Sequence, residues 1–185
     1  MIDVRYEVQR NVATATLVCD EKKAQEVLSE INTYNTGTWL EPFSMDTFVN
    51  IWTGDKLNPA IQMISSGTEE IQWALQMKDA DNKNIEPMTV INYVELKMID
   101  RSQKNIMTKK GWDEIFVTDA DHIVGPNGSL YVNNHNGFNI KLRNHIKKNH
   151  FIGYTLYFCV VDGDDEFYCK IDPIIKIRGG DAKPA

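Results

Sequence analysis

The chain has 185 residues, of which 42% are hydrophobic, 10% aromatic and 25% charged. That length fits one domain with a sizeable core, and the balance excludes collagen-like, disordered and disulfide-scaffold classes. With 20 Lys and Arg against 26 Asp and Glu the formal charge is −6, so the molecule as a whole is not drawn to nucleic acid or to an anionic membrane.

The first residues, Met1 to Glu7, include Asp3 and Glu7 and no apolar run. No secretory signal peptide is expected there, which places the product in the cytosol. The densest apolar stretch, Leu156 to Val161, ends at Asp162-Gly163, far short of the roughly 18 residues a spanning helix needs, and membrane insertion is not expected.

A short apolar stretch runs from Val12 to Val18. Asp20 then fits a helix N-cap, because Ala24, Val27, Leu28 and Ile31 recur at helical spacing over a polar face. Between Ser44 and Gly54 the pattern favours a second short helix with Phe48, Val49 and Trp52 on one side, although Thr47 to Trp52 also reads as a strand. From about residue 60 β-branched and aromatic runs alternate with turn dipeptides. Strands are expected at Ile61 to Ile64, Ile71 to Met77, Val90 to Met98, Ile115 to Thr118, Ser129 to Val132, Phe138 to Arg143, Gly153 to Val161, Glu166 to Ile171 and Ile174 to Ile177. The fold class is therefore mainly β, an antiparallel β-sandwich with one or two minor helices in the N-terminal third. Residues 1–178 form the single domain and 179–185 a flexible tail.

Side-chain alternation constrains the turns. Tyr154, Leu156, Phe158 and Val160 share one strand face, and Phe167, Cys169 and Ile171 share another. Pairing the two faces requires an even loop such as Asp162-Gly163, which puts Cys159 and Cys169 on opposite faces and forbids a disulfide. With Cys19 the three cysteines are an odd set of small apolar residues in a reducing compartment. The same parity applied to Leu130 and Val132 against Ile140 and Phe138 gives a hairpin with the odd loop Asn133 to Gly137. Beyond it Lys141, Arg143, His145, Lys147, Lys148 and His150 form the chain's one basic cluster.

No constellation marks a cofactor. Asp79 to Asn84 starts like a calcium loop, but Lys83, Asn84 and Val90 stand where an EF-hand needs an oxygen ligand, a glycine and a glutamate. The acidic tip Asp162 to Glu166 reads as a solvated turn. There is no zinc spacing, no nucleophile elbow and no phosphate-binding glycine loop. Neither a metal nor a cofactor is expected, and no catalysis. Sugar recognition, by contrast, needs planar polar groups beside one aromatic face. Trp112, Asp119, Asp121, His122, Asn127 and the Asn133 to Asn136 loop offer such groups, and the same residue types also build ordinary β-turns.

The C-terminal third carries an aromatic strand, Tyr154 to Val161, then Asp162-Gly163, then Phe167-Tyr168-Cys169-Lys170-Ile171, and closes on Asp172-Pro173-Ile174-Ile175-Lys176-Ile177. With Gly67-Thr68-Glu69-Glu70-Ile71-Gln72-Trp73, which has one residue more than the usual Gly-Asp-x-Ile-x-Trp, these segments resemble the PixA-type inclusion body proteins, which include the AidA-like proteins. The resemblance covers about a quarter of the chain, and its residues are structural. It implies a bacterial, cytoplasmic β-sandwich that associates with itself, in some members as crystalline inclusions, and that binds carbohydrate, fucosylated glycans in particular.

The expected function is thus a non-enzymatic, self-associating inclusion protein with lectin-like capacity, its partners being further copies and glycans. Asn134, His135 and Asn136 would exchange hydrogen bonds with the sugar, Asp119 and Asp121 would accept from hydroxyls, and Trp112 would supply the stacking face. Oligomers suit such binders, because single sites near about millimolar gain avidity when linked. Two alternatives are a hydrolase built from distant histidines, carboxylates or Cys19, and a nucleic-acid-binding module using the 141–150 cluster.

Overall fold

The computed structural model describes residues 2–9, 12–18, 22, 26, 28–31, 37–45, 49–53, 56–57, 62–64, 68–75, 83, 88–99, 107–133 and 137–179. The chain is mainly β and sandwich-like, with two sheets sharing one core.

The first sheet takes its strands from both halves of the chain. They are β1 (Ile2–Gln9), β2 (Val12–Val18), β4 (Val49–Thr53), β5 (Lys56–Leu57), β7 (Glu70–Leu75), β9 (Phe116–Val117) and β12 (Phe138–Leu142). Their order is β5-β4-β1-β2-β7-β12-β9. The second sheet has a spine of β10 (His122–Val124), β11 (Leu130–Val132), β8 (Met88–Met98), β13 (His150–Asp162), β14 (Asp165–Ile171) and β3 (Phe43–Ser44), in the order β10-β11-β8-β13-β14-β3. Two further strands complete it, β15 (Ile174–Ile177) on β13 and β6 (Gln62–Ile64) on β15. Residues 22, 26 and 28–31 are helical (α1), and a single turn at Lys109–Trp112 (α2) is capped by Thr108, whose side chain accepts from the Gly111 amide.

Burial follows the expected alternation. Ile71 and Trp73 on β7, Val94 and Leu96 on β8, Leu130 and Val132 on β11, Ile140 and Leu142 on β12, and Ile152, Tyr154, Leu156, Phe158 and Val160 on β13 are all buried in one cluster. The Trp73 and Tyr154 rings, from opposite sheets, meet at 5.8 Å. β13 is long enough for its one edge to pair β15 at residues 150–153 and β14 at residues 156–162. The Asp172-Pro173 step lies between those partners, and the Pro173 carbonyl accepts from the Tyr154 amide, filling the gap in the ladder.

Several expectations are corrected. Pairing is mixed rather than purely antiparallel, because β1 with β4, β2 with β7, β3 with β14 and β6 with β15 run parallel. Of the 44–54 segment expected as a second helix, Ser44 (β3) and Val49–Thr53 (β4) are strand, and the second described helix lies at Lys109–Trp112, outside the N-terminal third. β11 and β12 do not form a hairpin. Leu130 and Val132 pair toward β8, whereas Phe138 and Ile140 pair with β7 in the other sheet. Both apolar pairs reach the interior, but by facing each other across the sandwich.

The C-terminal hairpin has the expected parity, with Leu156 opposite Ile171, Phe158 opposite Cys169 and Val160 opposite Phe167. Its two loop residues are Gly163-Asp164, one position later than the sequence reading, because Gly163 at φ +61° supplies the left-handed conformation at the first loop position. Cys159 lies opposite Tyr168, and both Cys159 and Cys169 are free and buried. Burial raises both thiols, Cys169 to about 12 with a contribution from Cys159. In a Cys19→Ser background neither thiol is expected to react with Ellman's reagent at about pH 8 until denaturant is added. Native labelling at the rate of a free thiol would contradict this packing.

Candidate functional site

The outer face of the second sheet is aromatic. Strand alternation that sends Val94 and Leu96 inward leaves Tyr93, Glu95 and Lys97 outward, and the register sets Tyr157 opposite Tyr93 and Tyr131 opposite Glu95. Continued alternation would turn Asn92 toward the core. A β-bulge instead pairs Phe158 with Ile91, so that an apolar side chain takes the inner position.

The rings form a continuous surface. Tyr93 stacks on Tyr157 with centroids 4.2 Å apart and planes at 22°, and Tyr131 lies 6.1 Å from Tyr93. Trp39 stands edge-on to both Tyr93, at 6.2 Å, and Tyr168, at 5.5 Å. Trp39 is 56% exposed and its neighbour Leu40 is 94% exposed, while the tyrosines are half-buried. Below them a cavity of about 10 Å³, bordered by Trp39, Asn92, Tyr93, Tyr157 and Tyr168, touches the scale of a single water.

Trp39 is held by a tight loop. The Gly37 amide donates to the Glu41 carbonyl at 3.1 Å, the Glu41 amide donates to Thr38 Oγ1 at 3.1 Å, and the Tyr168 amide donates to the Gly37 carbonyl. Gly37 sits at φ +83°, and a Cβ there would lie 2.8 Å from the buried Ile31 side chain, so only glycine fits without strain. The loop then returns to the sheet through the Met45 amide, which donates to the Lys170 carbonyl at 2.9 Å.

Glu95 organises the polar edge. Its carboxylate accepts from Tyr131 Oη at 3.2 Å, Tyr157 Oη at 3.5 Å and Asn127 Nδ2 at 3.4 Å, and it pairs with Lys97 Nζ at 3.1 Å. Burial works to raise its pKa, but hydrogen bonds from Ser129, Lys97 and Tyr131 together with the Lys97 charge prevail and hold it below the usual glutamate range. Burial, the Tyr93 hydroxyl and the Glu95 charge push Tyr157 well above an ordinary phenol. Burial raises Tyr93 as well, so the Tyr93 and Tyr157 hydroxyls keep their protons at neutral pH and donate as well as accept. The arrangement offers flat apolar rings with fixed donors and acceptors beside them.

The residues expected from sequence lie elsewhere. Trp112 is fully buried at the end of α2, where its Nε1 donates to the Gly128 carbonyl at 2.9 Å and its ring stacks on Phe116, so it cannot supply a stacking face. Asp119 is exposed, but its Oδ1 accepts from the Asp121 amide at 2.9 Å and lies 2.7 Å from His122 Nδ1. Burial tends to raise Asp119, yet the Asp121 amide and His122 outweigh it and lower the carboxyl. The Asp119 carboxylate thus shapes a turn with the Asp121 amide, and Asp121 is half-buried. Asn127 likewise accepts from the Ser129 amide at 3.1 Å, and through its amide touches Glu95. Asn134, His135 and Asn136 lie outside the described residues, as do Cys19 and most of the 79–84 segment.

Among the described residues no group of three or more His, Cys, Asp or Glu side chains is placed to hold a metal ion, and no helix is long and apolar enough to cross a membrane. The wet-face tyrosines were legible as a signal. Tyr93, Tyr157 and Tyr168 alternate with core residues in strands expected at Val90 to Met98, Gly153 to Val161 and Glu166 to Ile171, where only inner faces of the last two were assigned. Compared with family models and with curated proteins, the chain has no match to either.

Proposed function

We propose that this chain is a non-enzymatic, self-associating carbohydrate-binding protein whose sugar platform is the outer face of the eight-stranded sheet, with Trp39 as its principal stacking ring. The observation that carries the reading is an exposed Trp39 standing edge-on to Tyr93 and Tyr168 beside a carboxylate clasped by tyrosines and Lys97. Such rings cover the C–H face of a pyranose, and the tyrosine hydroxyls, Asn127 and exposed Lys97 reach its hydroxyls. Glu95 acts as a positioning residue, since its oxygens are occupied by those partners. The likeness of the C-terminal segments to PixA-type proteins supports the same reading, adding fucosylated glycans as the first ligands to try and a bacterial cytoplasmic inclusion as the assembled form.

The test is a glycan array with the purified protein, with and without chelator, followed by titration of any retained sugar. Wild type is expected to bind without regard to chelator, and Trp39→Ala to lose about tenfold or more in affinity, roughly 1.4 kcal/mol, with its melting temperature little changed. Silence of the wild type across all glycans, or equal retention by Trp39→Ala, would remove the platform from consideration. Size-exclusion chromatography against concentration tests self-association separately.

A further inference from the structure

A second cavity, much larger than the one beside Trp39, lies away from the aromatic face, where the 143–150 segment leaves β12. It is an open cleft of about 670 Å³, within the range that accommodates a small organic ligand. Its apolar wall is Val117, 40% exposed, with Leu142 beneath. Its charged wall is Arg143, Lys147 and Lys148, three members of the basic cluster, with His145 beside them. Lys141, also of that cluster, does not line it.

Arg143 is fixed in place. Its amide donates to the Ile115 carbonyl at 2.8 Å, and its Nε donates to the carbonyls of Asp113 at 3.0 Å and Phe116 at 3.2 Å. A guanidinium anchored through Nε keeps its terminal nitrogens for a ligand in preset geometry. Among the described residues no carboxylate lies within ion-pairing distance of Arg143, Lys147 or Lys148. Asp113 also borders the cleft, but its carboxylate accepts from Thr118 Oγ1.

We propose that this cleft binds a small organic phosphate ester, with the phosphate on Arg143, Lys147 and Lys148 and the organic group against Val117 and Leu142. The three cations outnumber the two carboxylates of the lining, Asp113 and Glu114, one of which Thr118 already engages, and the apolar residues add affinity for the ester over free phosphate. A nucleic-acid backbone fits less well, because a row of several phosphates would meet both carboxylates.

The experiment titrates the full chain with phenyl phosphate, inorganic phosphate and a single-stranded oligonucleotide by calorimetry, and follows the Val117 methyl resonances during each titration. Phenyl phosphate is expected to saturate one site and to shift those resonances, with inorganic phosphate weaker by about threefold or more. The double variant Lys147→Gln/Lys148→Gln is expected to lose about tenfold or more in affinity for phenyl phosphate. Val117→Asp, which places a charge on the exposed apolar wall, is expected to abolish binding, and Trp39→Ala to leave it intact. Three outcomes overturn the proposal: no saturation by phenyl phosphate at about 10 mM, equal affinity in wild type and both cleft variants, or an oligonucleotide that binds tighter than phenyl phosphate with a steep salt dependence. Because Trp39→Ala separates the two sites, failure of the cleft and failure of the sugar platform are read independently.

Discussion

Trp112→Ala is expected to destabilise the fold by about 3–5 kcal/mol, the range for removing a large aromatic side chain from a packed interior. The residue is fully buried, its indole lies 6.0 Å from the Phe116 ring, and its Nε1 satisfies the Gly128 carbonyl at the turn that leads into β11. Alanine would leave a cavity between α2, β9 and this turn and strip a buried acceptor of its donor. For a domain of this length the loss corresponds to roughly 10 °C in melting temperature. Trp112→Phe keeps most of the volume and loses only the hydrogen bond, at about 1–2 kcal/mol. Urea unfolding followed by circular dichroism ranks the two variants. If Trp112→Ala unfolded at the wild-type midpoint while losing sugar affinity, the indole would belong to a binding surface rather than to the core.

The contrast between Trp112 and Trp39 shows where sequence reasoning stops. A tryptophan flanked by Lys109, Lys110, Asp113 and Glu114 looks exposed, because its neighbours are charged and its own strand or helix is too short for a period to register. What buries it is a partner 16 positions away, Gly128, whose approach no local pattern encodes. Parity read the β13–β14 hairpin correctly because a two-residue turn leaves no freedom in which faces meet. Parity failed at β11 and β12 for a related reason. It states that Leu130, Val132, Phe138 and Ile140 all turn toward the interior, and two facing sheets satisfy that demand as well as one hairpin does.

The parallel pairs, β1 with β4 and β2 with β7, join segments far apart in sequence, with α1 and other strands between them, and so leave no turn signature. Mid-chain and C-terminal strands were therefore legible, whereas in the N-terminal third helical spacing marked α1, with Leu28 and Ile31 buried, and the strands showed only as apolar runs. The candidate site straddles that divide. Tyr93, Tyr157 and Tyr168 come from strands that alternation identifies, and Trp39 comes from a loop whose placement depends on Gly37 and on the edge of β14. Expectations that looked for sugar chemistry at turns favoured Asp119 and Asp121, but the Asp119 carboxylate is taken by the Asp121 amide and His122. Asn and Asp at turns are recruited first by unsatisfied local amides, so their presence carries little information about ligands.

Glu95→Gln is expected to weaken the fold by about 1–3 kcal/mol at neutral pH, because a buried carboxylate that accepts from Tyr131 and Tyr157 and pairs with Lys97 becomes a neutral amide with one acceptor atom. The same difference should depend on pH. The folded-state pKa of Glu95 lies below the usual value, so between the two values the unfolded chain binds more protons than the folded one. The carboxylate's contribution is therefore complete above the unfolded value, about 4.3, and is lost as pH falls through the lower folded value. Wild-type and Glu95→Gln urea midpoints should converge only once pH has fallen through the lowered folded value of Glu95, since a protonated glutamic acid and a glutamine are nearly isosteric and equally neutral. A gap that stays constant from neutral to acid would falsify the assignment of Glu95 as an ionised, tyrosine-clasped anchor. Because Glu95 acts on the sugar platform by fixing Tyr131, Tyr157 and Lys97, its replacement should lower glycan affinity less than Trp39→Ala does, and Lys97→Met, which removes a charge that lowers the Glu95 pKa, should shift the convergence to higher pH and lower the affinity.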